Sequence, residues 1–578
     1  MARRWTFGTD KFGTLVTAAA PHLLDSGQLQ EAENVCRDVA GQLSPSATDL
    51  TIHTTGVDIY GMRVARYGGA THVIYAGPFY LYVDGVQIGA SGGPVTHRFV
   101  CDGERVYIFD GVQPKVWDGT TLRNHGPFGS AWANVTNDAE TMMVTKEGSS
   151  GTPAGIAGVY KWAASYRATL ESGQVIESKL YPLWIDAGGD PDDNYAGSIT
   201  MVTTDGAILY IRQVTQAEVD AWCPDLGTGK IEGVLWRTKA GTPDYWQQSV
   251  VAQADIVGLV GRHQVYDTVK DADLGAEYLG SMDAHGVPPA ADVAVFCQRR
   301  LFVAITGERK LYFSGIDNYD YFKPTDNVDA EETIEGLAVL GENVAVVTAT
   351  GIRLWSPVDE VGQWSNSSSS VGTVYKDSLV NIDQGLLFAR QDGMYLFDGV
   401  SSRRVSEAID ATWQQFDSPN SMWRGASSNG FGFFTNSLIA VEFKIVGGSF
   451  SWSTSDAVQS NQAVGYLSDD PLDAGVWSSH LDGTIRHMHQ GTGLNTMTVK
   501  TKDFGDGATR HWDRLVVDFS GDLSAVVLTN RGATQTVALS STGRLRDREM
   551  LLATMIGELA NATFTGTGTL HGVELETT

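Results

Sequence analysis

Apolar and polar positions along most of the chain alternate, or cluster, over short stretches that end in Gly or Asp-Gly, which predicts strands and turns rather than helices. The clearest stretch is Met394 to Val400, MYLFDGV, an aromatic and apolar strand closed by an Asp-Gly turn. Near-copies stand at Tyr82 to Val86 (YVDGV) and Tyr107 to Val112 (YIFDGV), with looser relatives at Val116 to Thr120 (VWDGT) and Leu481 to Ile485 (LDGTI). Asp-Gly between extended runs favours a tight hairpin, because Gly accepts positive φ cheaply and Asp tolerates the left-handed region. One such hairpin fits any all-β protein. Recurrence, with Gly-rich turns and few helical patterns between the copies, predicts radially repeated sheets, a β-propeller.

From about Thr51 the strands MRVARY, THVIYAG, FYLYVDGV, HRFVCDG, RVYIFDGV and PKVWDG predict two blades up to Phe128. The pattern breaks at the Gly- and Ser-rich stretch Gly148 to Gly155. Tyr160 to Leu180 then reads as a long hairpin, and further strands follow in AILYIRQV, VLWRTKAG and VYDTV. The run YKWAASYRATLESGQVIES resembles a fibronectin type III-like sandwich, so residues 150–280 are expected to form an inserted β-domain; the long loop Asp186 to Asn194 departs from that pattern. Blade patterns resume after Pro288 and Pro289 with ADVAVFCQRRLFVAI and KLYFSGIDNYDYF. They continue through IEGLAVLGENVAVVTATGIRLWS and LVNIDQGLLFARQDGMYLFDGV to a last unit from Trp423 to Arg486. Residues 51–128 and 285–490 thus predict a propeller of six blades in all.

The ends read differently. Pro21 to Val35 suggests an arm in which Ser26 caps a short helix carrying Leu29, Ala32 and Glu33. From about Met497 regular strands without the Asp-Gly signature follow, with Arg544 to Leu552 open between a short helix and a charged strand. Residues 1–50 and 491–578 are expected to pack together as a β-rich platform, since the propeller closes without them.

A chain of 578 residues exceeds one compact core. With 42% apolar residues, 65 Gly and 19% charged residues, its composition suits a folded strand-and-turn protein. The formal charge of −27 disfavours tight binding to polyanions. Cys36, Cys101, Cys223 and Cys297 have no CxxC spacing, which argues for free thiols rather than zinc or a disulfide framework. Arg3 and Arg4 resemble a twin-arginine signal, but Asp10 and Lys11 interrupt any apolar core, so no export signal is expected. No run of about 18 apolar residues predicts a membrane anchor.

Candidate chemistry is sparse. Gly227, Gly229 and Lys230 lack the spacing and the following Ser or Thr of a phosphate loop. His487 and His489 alternate on a strand with His480 nearby, an arrangement that suits a metal or three ordinary strand histidines. Asp190, Asp192, Asp193 and Asn194 form an oxygen-rich loop of the kind that holds calcium, or a plain acidic turn. Trp117, Trp355, Trp364, Trp452 and Trp477 offer a sugar platform or seal blades. No catalytic residue, cofactor or metal site is assigned.

The order of these features resembles the tail nozzle proteins of short-tailed bacteriophages, also called tail tubular protein B or stabilisation and hub proteins. The matching stretches are LLDSGQLQEAENV, RRLFVAI, LYFSGIDNYDYF and GMYLFDGV, spread over nearly the whole chain. The resemblance implies a virion protein with no enzymatic activity, in which a six-bladed propeller with an inserted domain sits beside a platform built from terminal segments. It implies a homo-oligomeric ring, a hexamer, that meets a tail tube or adaptor protein, carries tail fibre or tip proteins, and passes double-stranded DNA without specific binding. At −27 per chain such a ring carries roughly −160 in all, so carboxylates are expected on the channel wall, with Asp329, Glu331, Glu332, Glu335, Asp469, Asp470 and Asp473 as candidates. The alternative is a receptor-binding or depolymerase-like, carbohydrate-active propeller of a phage tail, whose carboxylates would include a glycosidase pair.

Overall fold

The computed structural model describes residues 3–7, 28–33, 35–37, 42–47, 50–128, 142–147, 156–185, 195–196, 198–201, 206–224, 226–278, 285–357, 362–365, 371–372, 375–416, 423–428, 430–436, 440–446, 449–455, 460–466, 474–480, 483–492, 494–495, 497–551 and 555–577. The protein is mainly β, and four-stranded antiparallel units dominate it. The first begins at Gly61–Tyr67, the second at Arg98–Cys101, the third at Val293–Cys297, the fourth at Ile334–Leu340 and the fifth at Val380–Ile382. The sixth begins at Arg424–Ser428 and the seventh at Ser460–Tyr466. Each opening strand packs beside the opening strand of the next unit, and Ser460–Tyr466 returns to Gly61–Tyr67, so the units close a ring, a β-propeller.

Among the described residues seven units stand where six are predicted, because the stretch from Trp423 to Arg486 holds two. The seventh has only three strands of its own and takes its fourth, Leu50–Thr54, from near the start of the chain. Thr54 pairs with Thr484 and Leu50 with His487, so backbone hydrogen bonds close the ring. The strand at residues 50–54 therefore belongs to the last blade, not to the first pair.

The apolar clusters lie between blades. Val293, Phe302 and Leu311 of the third blade meet Ile334, Val344 and Val346 of the fourth, and Tyr107, Phe109 and Val116 of the second meet Leu301 and Val303 of the third. Second strands are buried on both faces, which is why Val106–Phe109, Arg300–Ala304 and Asn343–Thr348 read as nearly continuous apolar runs rather than alternating ones. Each such Val, Leu or Phe contributes roughly 1.5–3 kcal/mol through burial.

The Asp-Gly turns are of two kinds. Asp84 and Gly85, at φ 49° and 83°, make the expected two-residue hairpin between Tyr80–Val83 and Val86–Ala90. Those at Asp110, Asp118 and Asp398 are longer, and Asp482 lies outside the described residues. In the turn after Gly393–Phe397, Asp398 Oδ1 accepts the N–H groups of Val400 and Ser401 at 2.9 and 2.8 Å. Asp110 and Asp118 accept from the residues two and three positions on in the same way, while Gly111 and Gly119 take φ of 79° and 95°. The recurring role of Asp is to accept turn N–H groups, and that of Gly is to supply the positive φ.

Between the second and third blades the chain builds two facing sheets around one core that includes Val144, Tyr166, Leu209, Ile211 and Leu235. One centres on Met143–Glu147 and Gly206–Arg212, the other on Trp162–Thr169 and Lys230–Thr238. This insertion includes Met143–Glu147 and so starts before residue 150. Thr169 pairs with Val175 in the hairpin read from Tyr160 to Leu180. A helix at Gln216–Trp222 carries a capping box, with Thr215 and Glu218 each satisfying the other's backbone N–H.

Strands from both ends share one sheet: Arg3 pairs with Thr577, Leu29 with Thr501, and Leu43 with Leu570. Glu33 also pairs with Thr454, which joins this sheet to the sixth blade. Leu29–Glu33 is a strand, not the helix expected there. Its register shifts between Leu29 and Glu31, and the extra residue turns Leu29 and Ala32, three apart, to the same buried face. A bulged strand thus imitates helical spacing. Arg544 to Met550 is the end of the strand Thr534–Met550, and Ser26 lies outside the described residues.

Candidate functional site

Four of the acidic candidates gather in one turn between the third and fourth blades. Asp329 ends the strand Asn327–Asp329, Glu331 and Glu332 form the turn with Glu331 at φ 66°, and Glu335 lies on Ile334–Leu340. Asp329 accepts from Arg309 Nη2 at 3.0 Å and from the Glu331 N–H at 2.6 Å, and these contacts hold its carboxyl below the usual range. Glu331 pairs with Arg353 at 3.0 Å. Glu332 accepts the hydroxyls of Thr350 and Thr348 at 2.6 and 2.8 Å, which lower its pKa likewise. Two of its carboxylates are matched by guanidiniums, Asp329 by Arg309 and Glu331 by Arg353. Asp469, Asp470 and Asp473 lie outside the described residues, as do Asp190, Asp192, Asp193 and Asn194.

The histidines do not converge. His487 ends the strand Thr484–His487 and stacks on Trp477 at 4.6 Å. His489 follows at φ 58°, off the strand, and faces Glu442 at 3.3 Å. His480 Nε2 lies 2.9 Å from Ser478 Oγ. Among the described residues no group of His, Cys, Asp or Glu has the geometry to hold a metal ion. The tryptophans pack against other rings: Trp117 across to Tyr67 of the first blade, Trp355 against Trp364 of its own sheet at 5.0 Å, and Trp452 against Phe443 and Phe450 of its own sheet. Cys223 and Cys297 are buried free thiols and Cys101 is a partly buried one. Among the described residues no helix is long and apolar enough to cross a membrane.

Two polar assemblies escape a reading of the sequence. The first joins the insertion to the ring. Asp320, in the loop between the third-blade strands Lys310–Phe313 and Asn327–Asp329, receives Arg123 Nη2 at 2.7 Å from the second blade and Gln174 Nε2 at 3.0 Å from the insertion. His125 beside them is enclosed by Tyr107, Phe109 and Phe322, and its Nε2 lies 2.8 Å from the Tyr319 carbonyl oxygen. Burial pushes its pKa from 6.5 down to about 4, with Asp320 opposing and Arg123 assisting. Trp222 Nε1 donates to the Gly126 carbonyl at 3.1 Å, Tyr321 Oη accepts from the Glu177 N–H at 2.8 Å, and His285 stacks on Tyr321.

The second assembly is a cavity of about 480 Å³ on the axis of the ring. Opening strands of the first, second, fifth, sixth and seventh blades line it, and they place Arg63, Arg98 and Arg424 there with Asp377. Arg98 Nη2 donates to Asp377 Oδ1 at 3.1 Å and to the Lys376 carbonyl at 3.2 Å. Lys376 turns away to Asp292 at 2.8 Å. Arg424 lies more than 300 residues from Arg63 and Arg98 along the chain, and only ring closure brings it to them.

The fold defines a β-propeller carrying an inserted β-domain. No family model and no curated protein matches the sequence. Among solved structures, BamB from Moraxella catarrhalis is similar at 7% identity and TM-score 0.30, over 76% of this chain and 96% of that one. The extracellular domain of the putative one component system BT4673 from B. thetaiotaomicron gives 8% identity and TM-score 0.25, over 95% and 96%. An exo-beta-1,3-galactanase from Phanerochaete chrysosporium gives 10% and 0.16, over 87% and 100%. Likenesses this distant carry no argument about function.

Proposed function

We propose that the protein is a structural subunit of the tail nozzle of a short-tailed bacteriophage. In this reading copies assemble into a closed ring, a hexamer, that continues the DNA channel from the tail tube, retains DNA before infection and lets it pass during ejection. The observation that carries it is the sheet in which both chain ends and the sixth blade are hydrogen-bonded together. Such a sheet couples propeller and terminal segments into one unit, as a ring subunit under the strain of DNA passage requires. Residues 1–50 and 491–578 supply the platform, the fibronectin type III-like insertion stands outside for fibre or tip proteins, and the acidic turn from Asp329 to Glu335 faces the channel. A carboxylate wall keeps DNA moving, because each free Lys or Arg would bind a phosphate and release counterions.

Particle images of the purified protein test the reading. A closed ring with an axial hole is expected; a trimeric spike with sugar bound at a blade overturns it in favour of a receptor-binding or depolymerase-like propeller. The same preparation should bind duplex DNA weakly even at low ionic strength, and tight binding that falls steeply with salt overturns the slippery channel.

A further inference from the structure

The axial cavity inverts the charge of the molecule. The chain as a whole carries −27, yet the ionised side chains lining this space are three guanidiniums and one carboxylate. Asp377 is already engaged by Arg98. Arg424 Nε is buried, and among the described residues it has no hydrogen-bond partner. His97, at 4% exposure, also lines the cavity; its Nδ1 lies 2.6 Å from the Val95 carbonyl oxygen and its Nε2 is buried without a partner. Burial lowers the pKa of Arg424, with only Asp377 opposing, as expected of a cation short of counter-charge. A guanidinium does not lose its proton at any ordinary pH, so a desolvated one is stabilised by an anion rather than by neutralisation. The size of the cavity, about 480 Å³, suits a small molecule and excludes a duplex.

We propose that this cavity binds a small multivalent oxyanion, a phosphate or a compact di- or tricarboxylate, between Arg63, Arg98 and Arg424. Guanidinium forks from different blades approach such an anion from separate directions and donate in-plane pairs of N–H groups to its oxygens. The bound anion ties together the first, second and sixth blades, on both sides of the point where the ring closes. The inference rests on the cavity alone and does not depend on the virion assignment.

Calorimetric titration of the full chain with inorganic phosphate, and separately with malonate, at an ionic strength fixed by sodium chloride, tests the proposal. Saturable binding of one anion per chain is expected. Arg424→Gln should weaken it at least tenfold and Arg424→Lys less, while Asp377→Asn, which removes the lining carboxylate, should tighten it. Phosphate alone binding assigns a tetrahedral oxyanion, and malonate alone a carboxylate. Crystals of the unaltered protein soaked in selenate provide a readout that needs no variant, with anomalous selenium density expected among the three arginines. No saturable binding of either anion, equal affinity in Arg424→Gln and the unaltered protein, or no selenium density in the cavity overturns it.

Discussion

Acidification acts on the joint between ring and insertion through His125. The imidazole is 3% exposed, and burial holds its pKa at about 4 against 6.5 when free. The folded-state value is lowered, so between these two values the unfolded chain binds the proton that the folded one refuses, and stability falls as pH drops through that window. From pH 7 to pH 4.5 the loss from this residue is about 2 kcal/mol. His125→Gln removes the titration and keeps an N–H donor for the Tyr319 carbonyl. Urea midpoints at the two pH values should therefore fall further for the unaltered protein than for His125→Gln. His97 and His285, whose pKa values burial also lowers, contribute to both proteins and cancel in the comparison. The imidazole proton resonance should titrate near pH 4. Equal midpoint losses in the two proteins, or titration near 6.5, would refute the reasoning.

Arg237 and Asp267, both fully buried in the insertion, are joined at 3.0 Å, and Arg237→Met should cost about 3–5 kcal/mol by stranding the carboxylate, read as a lowered urea midpoint. Gly465→Ala would drive a Cβ into the Ser427 carbonyl oxygen on the neighbouring blade, so a loss of about 1–3 kcal/mol is expected, with lower thermal stability as the check. Asp118→Ala removes the acceptor of the Thr120 and Thr121 N–H groups in a half-buried turn; about 1–2 kcal/mol should be lost, and faster amide exchange at Thr121 would report it.

Most of the strands and their punctuation were legible in the order of residues. Apolar runs such as NVAVVT at Asn343–Thr348 and turns such as Asp398-Gly399 are local physics, set by side-chain burial on a pleated backbone and by residues that tolerate positive φ. The break in the repeat was legible as well, though the insertion begins before the expected residue 150. The blade count was not local: the seventh blade is completed by Leu50–Thr54, more than 400 residues from its partner, and no periodicity records such a pairing. The bulge in Leu29–Glu33 was equally hidden, because an extra residue in a strand and a turn of helix both place apolar side chains three apart. Of the acidic turn, the carboxylates were legible and their partners were not, since Arg309 and Arg353 reach Asp329 and Glu331 only across adjacent strands. The arginines of the axial cavity carry no motif at all. Arg63, Arg98 and Arg424 are single cations on separate strands, and closure of the ring alone turns them toward one space, because the radial arrangement directs every opening strand to the axis.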